Sequence, residues 1–231
     1  MLNVIVSRLK QGHRTIVYPS GPAPELPDRF RGRPSIDPEK CLAGCHLCSD
    51  ACPVKAITVA DTVRIDMGKC LFCTECSAAC PQRAISFTNE YRLAARNRQD
   101  LIVAPEKEEA LPDVRLDDRL LSMFGRSLKL RQVSAAGCNA CEADTNVLGT
   151  IGWDLGRFGI QFVASPRHAD GVLITGPVSR NMRLALEKTL LAVPEPKIVI
   201  AVGACAIAGG PYADHTEVEN GADNIARVDL Y

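Results

Sequence analysis

Eight of the chain's eleven cysteines fall between Cys41 and Cys80, and they arrive in two copies of one unit. Ile36-Asp37-x-x-Lys40-Cys41 recurs as Ile65-Asp66-x-x-Lys69-Cys70, and Cys52-Pro53-x-x-Ala56-Ile57 recurs as Cys80-Pro81-x-x-Ala84-Ile85. The copies differ by one inserted residue: three residues separate Cys41 from Cys45, and two separate Cys70 from Cys73. Nothing else narrows the fold so much. An odd total of cysteines sits badly with a closed set of disulfides, and thiols in a reducing compartment pair with metals more often than with each other. Each copy reads as a short strand, a cysteine loop, a turn of helix ending at Cys-Pro, and a second short strand. Ile57-Thr58-Val59 and Ile85-Ser86-Phe87 supply the later strands. Pro53 and Pro81 remove a backbone donor and end each turn.

Charge and hydropathy exclude more than they identify. With 27 basic and 27 acidic side chains the formal net charge is +0, which argues against nucleic acid as the main partner. A near-neutral surface suits a subunit whose faces are covered by partners. The longest apolar stretch, Ile198 to Ala208, is too short to cross a bilayer. Met1 to Lys10 lacks the order of a signal peptide. The sequence therefore predicts a cytoplasmic chain with no span of its own, peripheral on the membrane through partner subunits.

Along the chain, residues 1–35 are rich in proline and are expected to form an extended arm. Residues 36–88 hold the cysteine units. Residues 89–126 read as a linker with helices at Tyr91–Leu101 and Asp113–Phe124, joined by the acidic run Glu106-Lys107-Glu108-Glu109. From residue 127 to 231 the pattern becomes strand–helix alternation. Leu128–Val133, Ile160–Val163, Gly171–Ile174 and Ile198–Val202 read as strands, and Ala143–Phe158 and Asn181–Ala192 as helices. Such alternation implies an α/β domain with a mainly parallel sheet covered on both faces. The strands lead into Gly137-Cys138, Ser165-Pro166-Arg167-His168, Thr175-Gly176-Pro177 and Gly203-Ala204-Cys205, loops expected to converge at the carboxyl edge.

Cys70-x2-Cys73-x2-Cys76-x3-Cys80-Pro81 matches the bacterial two-cluster ferredoxin run residue for residue. Three thiolates on a tight loop can reach three irons of one cubane, while the fourth points away along the following turn and completes the other. By this crossed rule Cys41, Cys45, Cys48 and Cys80 hold one [4Fe–4S] cluster, and Cys70, Cys73, Cys76 and Cys52 hold the second. Paired zinc sites are the alternative, but zinc ribbons rarely pack four cysteines so tightly, twice, each run followed by proline. The expected fold of this part is an α+β ferredoxin-like domain.

Residues 127–231 resemble the small (B, or 20-kDa) iron–sulfur subunit shared by NADH:quinone oxidoreductase and energy-converting [NiFe] hydrogenases, including formate hydrogenlyase. The resemblance lies in Gly137-Cys138-Asn139-Ala140-Cys141-Glu142, Arg157-Phe158-Gly159-Ile160, Ser165-Pro166-Arg167-His168-Ala169-Asp170, Thr175-Gly176-Pro177-Val178 and Gly203-Ala204-Cys205-Ala206. It implies a flavodoxin-like α/β fold and a third [4Fe–4S] cluster held in part by Cys138, Cys141 and Cys205. The family's fourth ligand would follow a strand resembling Val228–Tyr231, so the resemblance implies a chain cut just ahead of that ligand. It also implies a large catalytic subunit (hydrogenase-like or 49-kDa-like) as partner, with further electron-transfer and membrane subunits. Buried core thiols are the alternative for these three cysteines, Cys205 above all.

Two neighbours are candidates for contact with that cofactor. Glu142 follows the second ligand; in hydrogenase relatives an acid here is associated with proton movement, while an acid in a helix's first turn is also simply favoured by the dipole. Arg167 would stabilise an added electron on a nearby cluster, or it would pair with Asp170 at the surface. His168 carries no specific role, and His13, His46 and His215 show no metal-like spacing. No Gly-rich phosphate loop with lysine is present, which argues against a nucleotide site. No nucleophile–base or paired-acid constellation appears, so any catalytic centre is expected on a partner chain. Adjacent cysteines are usual at the first ligand position in the quinone-reducing relatives and Cys-x2-Cys in the hydrogenases; Cys138-x2-Cys141 favours the latter. A quinone-reducing role of the 20-kDa type, a self-contained two-cluster carrier with an unmetallated docking domain, and a zinc-organised interaction protein stay open as alternatives.

Overall fold

A computed structural model describes residues 2–12, 15–105, 122–125 and 127–231. In it the two cysteine units are woven together. Strand β1 (Pro34–Ile36) opens the first unit and pairs antiparallel with β4 (Ile85–Phe87), which closes the second, with Ile36 opposite Ile85. Strand β2 (Ile57–Val59) closes the first unit and pairs with β3 (Val63–Asp66), which opens the second, with Ile57 opposite Ile65. Each copy thus completes its hydrogen bonds on the other. The repeated isoleucines Ile36, Ile57, Ile65 and Ile85 meet in one core with Cys48 and Cys76. The period-2 pattern of each short strand sends one face inward, as the burial of Val63 and Ile65 around exposed Arg64 shows. Two short helices, α2 (Leu47–Asp50) and α3 (Glu75–Ala79), occupy equivalent places in the units.

Two expectations for the flanking segments need correction. The N-terminal stretch is not extended throughout, because Leu2–Gln11 forms helix α1. Its residues contain neither proline nor glycine, and the prolines that suggested an arm begin at Pro19. Tyr91–Leu101 is not a helix either; only Arg98–Leu101 coils, as a 3-10 turn, before strand β5 (Ile102–Val103) joins β3. Tertiary pairing outweighs the helical spacing there: Ala95 exchanges both backbone hydrogen bonds with Tyr231, at 2.9 and 2.8 Å. The acidic run Glu106–Glu109 and most of the Asp113–Phe124 helix lie outside the described residues; Ser122–Phe124 are helical.

Strand–helix alternation in the second half folds as read. Strands β6 (Leu128–Ser134), β7 (Ile160–Phe162), β8 (Gly171–Thr175) and β9 (Ile198–Val202) form a parallel sheet in the order β7-β6-β8-β9. Leu230 adds a parallel bridge to Ile200 beyond β9. Helix α4 (Ala140–Val147) is shorter than the predicted Ala143–Phe158 and starts earlier; turns through Gly149 and Gly152 and a 3-10 turn at Leu155–Phe158 replace its second half. Helix α5 (Arg180–Ala192) buries Leu186 and Leu190 against Val172, Ile174, Val199 and Ala201. The opposite side of the sheet gathers Leu130, Leu173 and Ile198. Helix α6 (Gly203–Ala208) follows β9 directly.

The halves are joined by specific contacts. Ile207 of α6 and Tyr231 pack against both cores. Beside Ile207, and within the first half, Arg98 grips Asp66 with two charge-assisted bonds of 2.8 and 2.7 Å. At the other end, Ile16 donates its N–H to the Gly152 carbonyl, and Arg157 donates to the carbonyl of Tyr18, whose ring meets Tyr91 edge-on. Among the described residues no helix is long and apolar enough to cross a membrane.

Candidate metal centres

The weaving of β1 with β4 and β2 with β3 carries the cysteines across the units. One small pocket is lined by Cys41, Cys45, Cys48 and Cys80. A second is lined by Cys52, Cys70, Cys73 and Cys76. Each takes three cysteines from one unit's loop and the last cysteine of the other unit. Ile36, Val63 and Ile85 wall the first and Ile57, Ile65 and Phe87 the second, so both are apolar pockets rimmed by sulfur.

Backbone donors aim at the sulfurs in a pattern that repeats with the units. Ala56 donates its N–H to Cys52 Sγ at 3.2 Å, and Ala84 donates to Cys80 Sγ at 3.3 Å. Phe72 donates to Cys70 Sγ at 3.3 Å. Such donors favour a charged thiolate, and hydrogen bonds to cluster sulfurs are one of the levers on reduction potential. Against them, burial pushes the Cys76 thiol up to about 11, with Cys70 adding to the effect, and also raises Cys48 and Cys70. Among the described residues no three His, Cys, Asp or Glu side chains crowd one point as a single ion would require. The four thiols of each pocket stand around a space instead, which fits a donor set for a cage of several irons.

The third group lies at the carboxyl edge of the parallel sheet. Cys138 is exposed, and Cys141 and Cys205 are half-buried. Burial raises both of the latter thiols, with Glu142 adding to the effect at Cys141 and Cys141 adding to it at Cys205. The loop before α4 reproduces the second unit's backbone: Asn139, between Cys138 and Cys141, sits at φ 70°, ψ 1°, and Thr74, between Cys73 and Cys76, at φ 70°, ψ 5°. A left-handed residue followed by a helical turn points successive N–H groups into one concavity, the nest found at anionic and iron–sulfur sites. Two glycines make room. Gly203, at φ +88°, presents bare backbone to Cys141 Sγ, and Gly176, at φ +83°, lies where a Cβ would be 2.5 Å from the Gly137 nitrogen.

Three of the four predicted loops therefore meet. The fourth runs elsewhere: Arg167 and His168 are exposed on a 3-10 turn, and the loop returns to the start of β8. Asp170 does not serve as a plain surface partner for Arg167, because its Oδ2 accepts the Lys129 N–H at 2.7 Å and caps the sheet. His46 is exposed, His215 Nδ1 accepts from the Glu217 N–H, and His13 lies outside the described residues.

Glu142 is 6% exposed. Its Oε1 accepts from Thr175 Oγ1 at 2.6 Å and Ser134 Oγ at 2.7 Å, tying α4 to the ends of β8 and β6. Burial works to raise its pKa, but the Thr175 and Ser134 hydroxyls more than offset it and leave the carboxyl below its usual value. Ser134 escaped the sequence reading because nothing marks a serine at a strand end as a carboxylate's partner. This geometry separates a structural from a charge role. Glu142→Gln keeps an oxygen for both hydroxyls and should cost about 1 kcal/mol or less; Glu142→Ala strands the fully buried Thr175 hydroxyl and should cost about 1–3 kcal/mol. Urea denaturation measures both, and equal losses would show that the negative charge, not the acceptor, is what the fold needs.

Two families of known proteins match the chain, in separate stretches. Residues 33–81 match the family of 4Fe–4S dicluster domains, and residues 138–231 match the family described as NADH ubiquinone oxidoreductase, 20 Kd subunit. Formate hydrogenlyase subunit 7 of Escherichia coli K12 is 37% identical over 139 residues, 60% of this chain and 54% of that protein. The B-type subunit of the NADH-quinone oxidoreductase of Bacteroides thetaiotaomicron is 38% identical over 117 residues, 50% of this chain and 58% of that protein. A probable membrane-bound hydrogenase subunit of Pyrococcus furiosus, mbhJ, is 35% identical over 113 residues, 49% of this chain and 68% of that protein. The chain thus spans a little over half the length of the first two relatives. With a 4Fe–4S dicluster domain ahead of it, the second half makes this chain a member of the 20-kDa iron–sulfur subunit family shared by NADH:quinone oxidoreductases and membrane-bound hydrogenases.

Proposed function

We propose that this chain is the electron-transfer subunit of a hydrogenase- or formate hydrogenlyase-like assembly, holding two [4Fe–4S] clusters in a ferredoxin-like domain and contributing to a third. The observation that carries the reading is the pair of separate apolar pockets, each rimmed by three cysteines of one unit and the last cysteine of the other. Four-thiol rims suit [4Fe–4S] cages, which would supply one-electron reduction and oxidation without bond making in the chain itself. The chain's own residues bind and tune: Cys41, Cys45, Cys48 and Cys80 at one site; Cys52, Cys70, Cys73 and Cys76 at the next; the N–H groups of Ala56, Phe72 and Ala84 on the sulfurs. Cys138, Cys141 and Cys205 supply three ligands of the third, next to the buried Glu142. Arg167, exposed on its turn, remains available to a partner subunit.

Under this reading residues 36–88 form the two-cluster domain, 89–126 the linker and 127–231 the small-subunit domain. The catalytic centre belongs to a large partner subunit that covers the exposed Cys138 edge, and membrane attachment passes through further subunits. Cys138-x2-Cys141, with its nest at Asn139, favours the hydrogenase branch over quinone reduction. Anaerobic purification followed by iron and sulfide analysis tests the proposal: about eight irons are expected from the dicluster domain alone, with paramagnetic signals after dithionite. Colourless protein carrying zinc and silent after reduction would refute it.

A further inference from the structure

The two cysteine units are copies, yet the turn that opens each differs at a telling position. Glu39 of the first unit is matched by Gly68 of the second. The turn itself does not demand glycine. Glu39 occupies it in a regular 3-10 turn, Pro38–Lys40, and Gly68 is not among the residues at positive φ. Both turns are capped alike: Asp37 Oδ1 accepts the Glu39 N–H at 3.1 Å, and Asp66 Oδ1 accepts the Gly68 N–H at 2.9 Å.

The reason for glycine lies outside the turn. A Cβ at residue 68 would stand 2.7 Å from the Arg98 guanidinium and 2.8 Å from Ile207 Cγ2. Arg98 cannot swing aside without giving up both of its bonds to Asp66. Ile207 is held in α6, two residues past Cys205, and packs against both cores. The first unit makes no comparable use of its acid. Asp37 instead pairs with its own unit's Lys40 at 2.6 Å on the surface.

We propose that Gly68 is a positioning residue: its bare backbone lets the Cys70 loop close on the helix carrying Cys205, so that the Cys52, Cys70, Cys73 and Cys76 site is the one held against the third group. The Asp66–Arg98 pair is the bracket that fixes this approach. The inference rests on the electron-transfer reading above. Clusters held by Cys52, Cys70, Cys73 and Cys76 and by the Cys138 group would supply a one-electron exchange between the two sites, one losing the electron the other gains, with no bond made or broken.

The test uses the assembled complex, reduced through its ferredoxin-type sites with dithionite, and rapid freeze-quench paramagnetic resonance to time the electron's arrival at the third site. Gly68→Ala should keep the iron content and the individual signals and slow arrival several-fold. Adding Ile207→Ala, which clears the Ile207 side of the contested space and lets residue 68 move away from Arg98, should recover much of the lost rate. Unchanged arrival in Gly68→Ala, or slow arrival that Ile207→Ala fails to relieve, overturns the inference. If Gly68→Ala loses iron, the double variant decides: iron and fast arrival regained together support the inference, and iron still missing overturns it. No cluster signals in the unaltered complex would instead sink the electron-transfer reading itself.

Discussion

Cys80→Ala should empty the site formed by the Cys41 loop and leave the site formed by its own loop intact. Cys80 follows Cys76 closely in sequence, yet it lines the pocket of Cys41, Cys45 and Cys48, because the turn after α3 leads into β4 and β4 pairs with β1 of the other unit. With one of four ligands gone, about four of the eight irons should be lost. Double variants identify which four. Cys80→Ala with Cys45→Ala should lose no more than Cys80→Ala alone, since both act on one pocket. Cys80→Ala with Cys73→Ala should lose all eight, since Cys73 lines the other. Sequential ligation predicts the reverse pattern. Iron analysis on anaerobic protein reads the outcome directly, and Cys52→Ala provides the mirror image.

Gly203→Ala should abolish the third site while sparing the first two. Residue 203 sits at φ +88°, where a side chain is strained by about 1–3 kcal/mol, and the added methyl would collide with Cys141 Sγ. The sulfur cannot retreat freely, because Cys141 is in the first turn of α4 and its carbonyl accepts the Thr145 hydroxyl at 2.7 Å. Displacing that sulfur removes one of the candidate ligands Cys138, Cys141 and Cys205. Gly44→Ala is the matched control: it has a similar φ of +73° in the first cysteine loop, but nothing lies within 4 Å of the added Cβ. It should carry the strain and keep its site. Resonance signals from each site, recorded with a thermal melt, separate strain from collision; loss of all three signals in Gly203→Ala would mean general unfolding and reject the local account.

Much of this was legible beforehand because it depends on local pattern. The repeat around Cys41–Cys80 pointed to two cysteine groups, and the crossed assignment came from the match to the two-cluster ferredoxin run. The strands at Ile57–Val59, Ile85–Phe87, Gly171–Ile174 and Ile198–Val202 emerge where their apolar runs stand. Errors cluster where local preference was weak and distant partners strong. Tyr91–Leu101 carries helical spacing, but Ala95 and Arg98 find better partners in Tyr231 and Asp66 than helix formation offers. Arg167 was placed beside the third site on the expectation that every loop rises to the same edge, whereas its loop turns back and its Asp170 caps the sheet.

Cysteine spacing, turn-ending prolines and apolar periodicity are short-range quantities, so the chain's order alone was enough to predict the two cysteine units and the parallel sheet. The tie of Glu142 to Thr175, the bracket on Asp66, the course of the Arg167 loop and the closeness of Gly68 to Ile207 depend on contacts between residues far apart in the chain. Their energies come from packing and desolvation, which exist only once the distant segments have folded together.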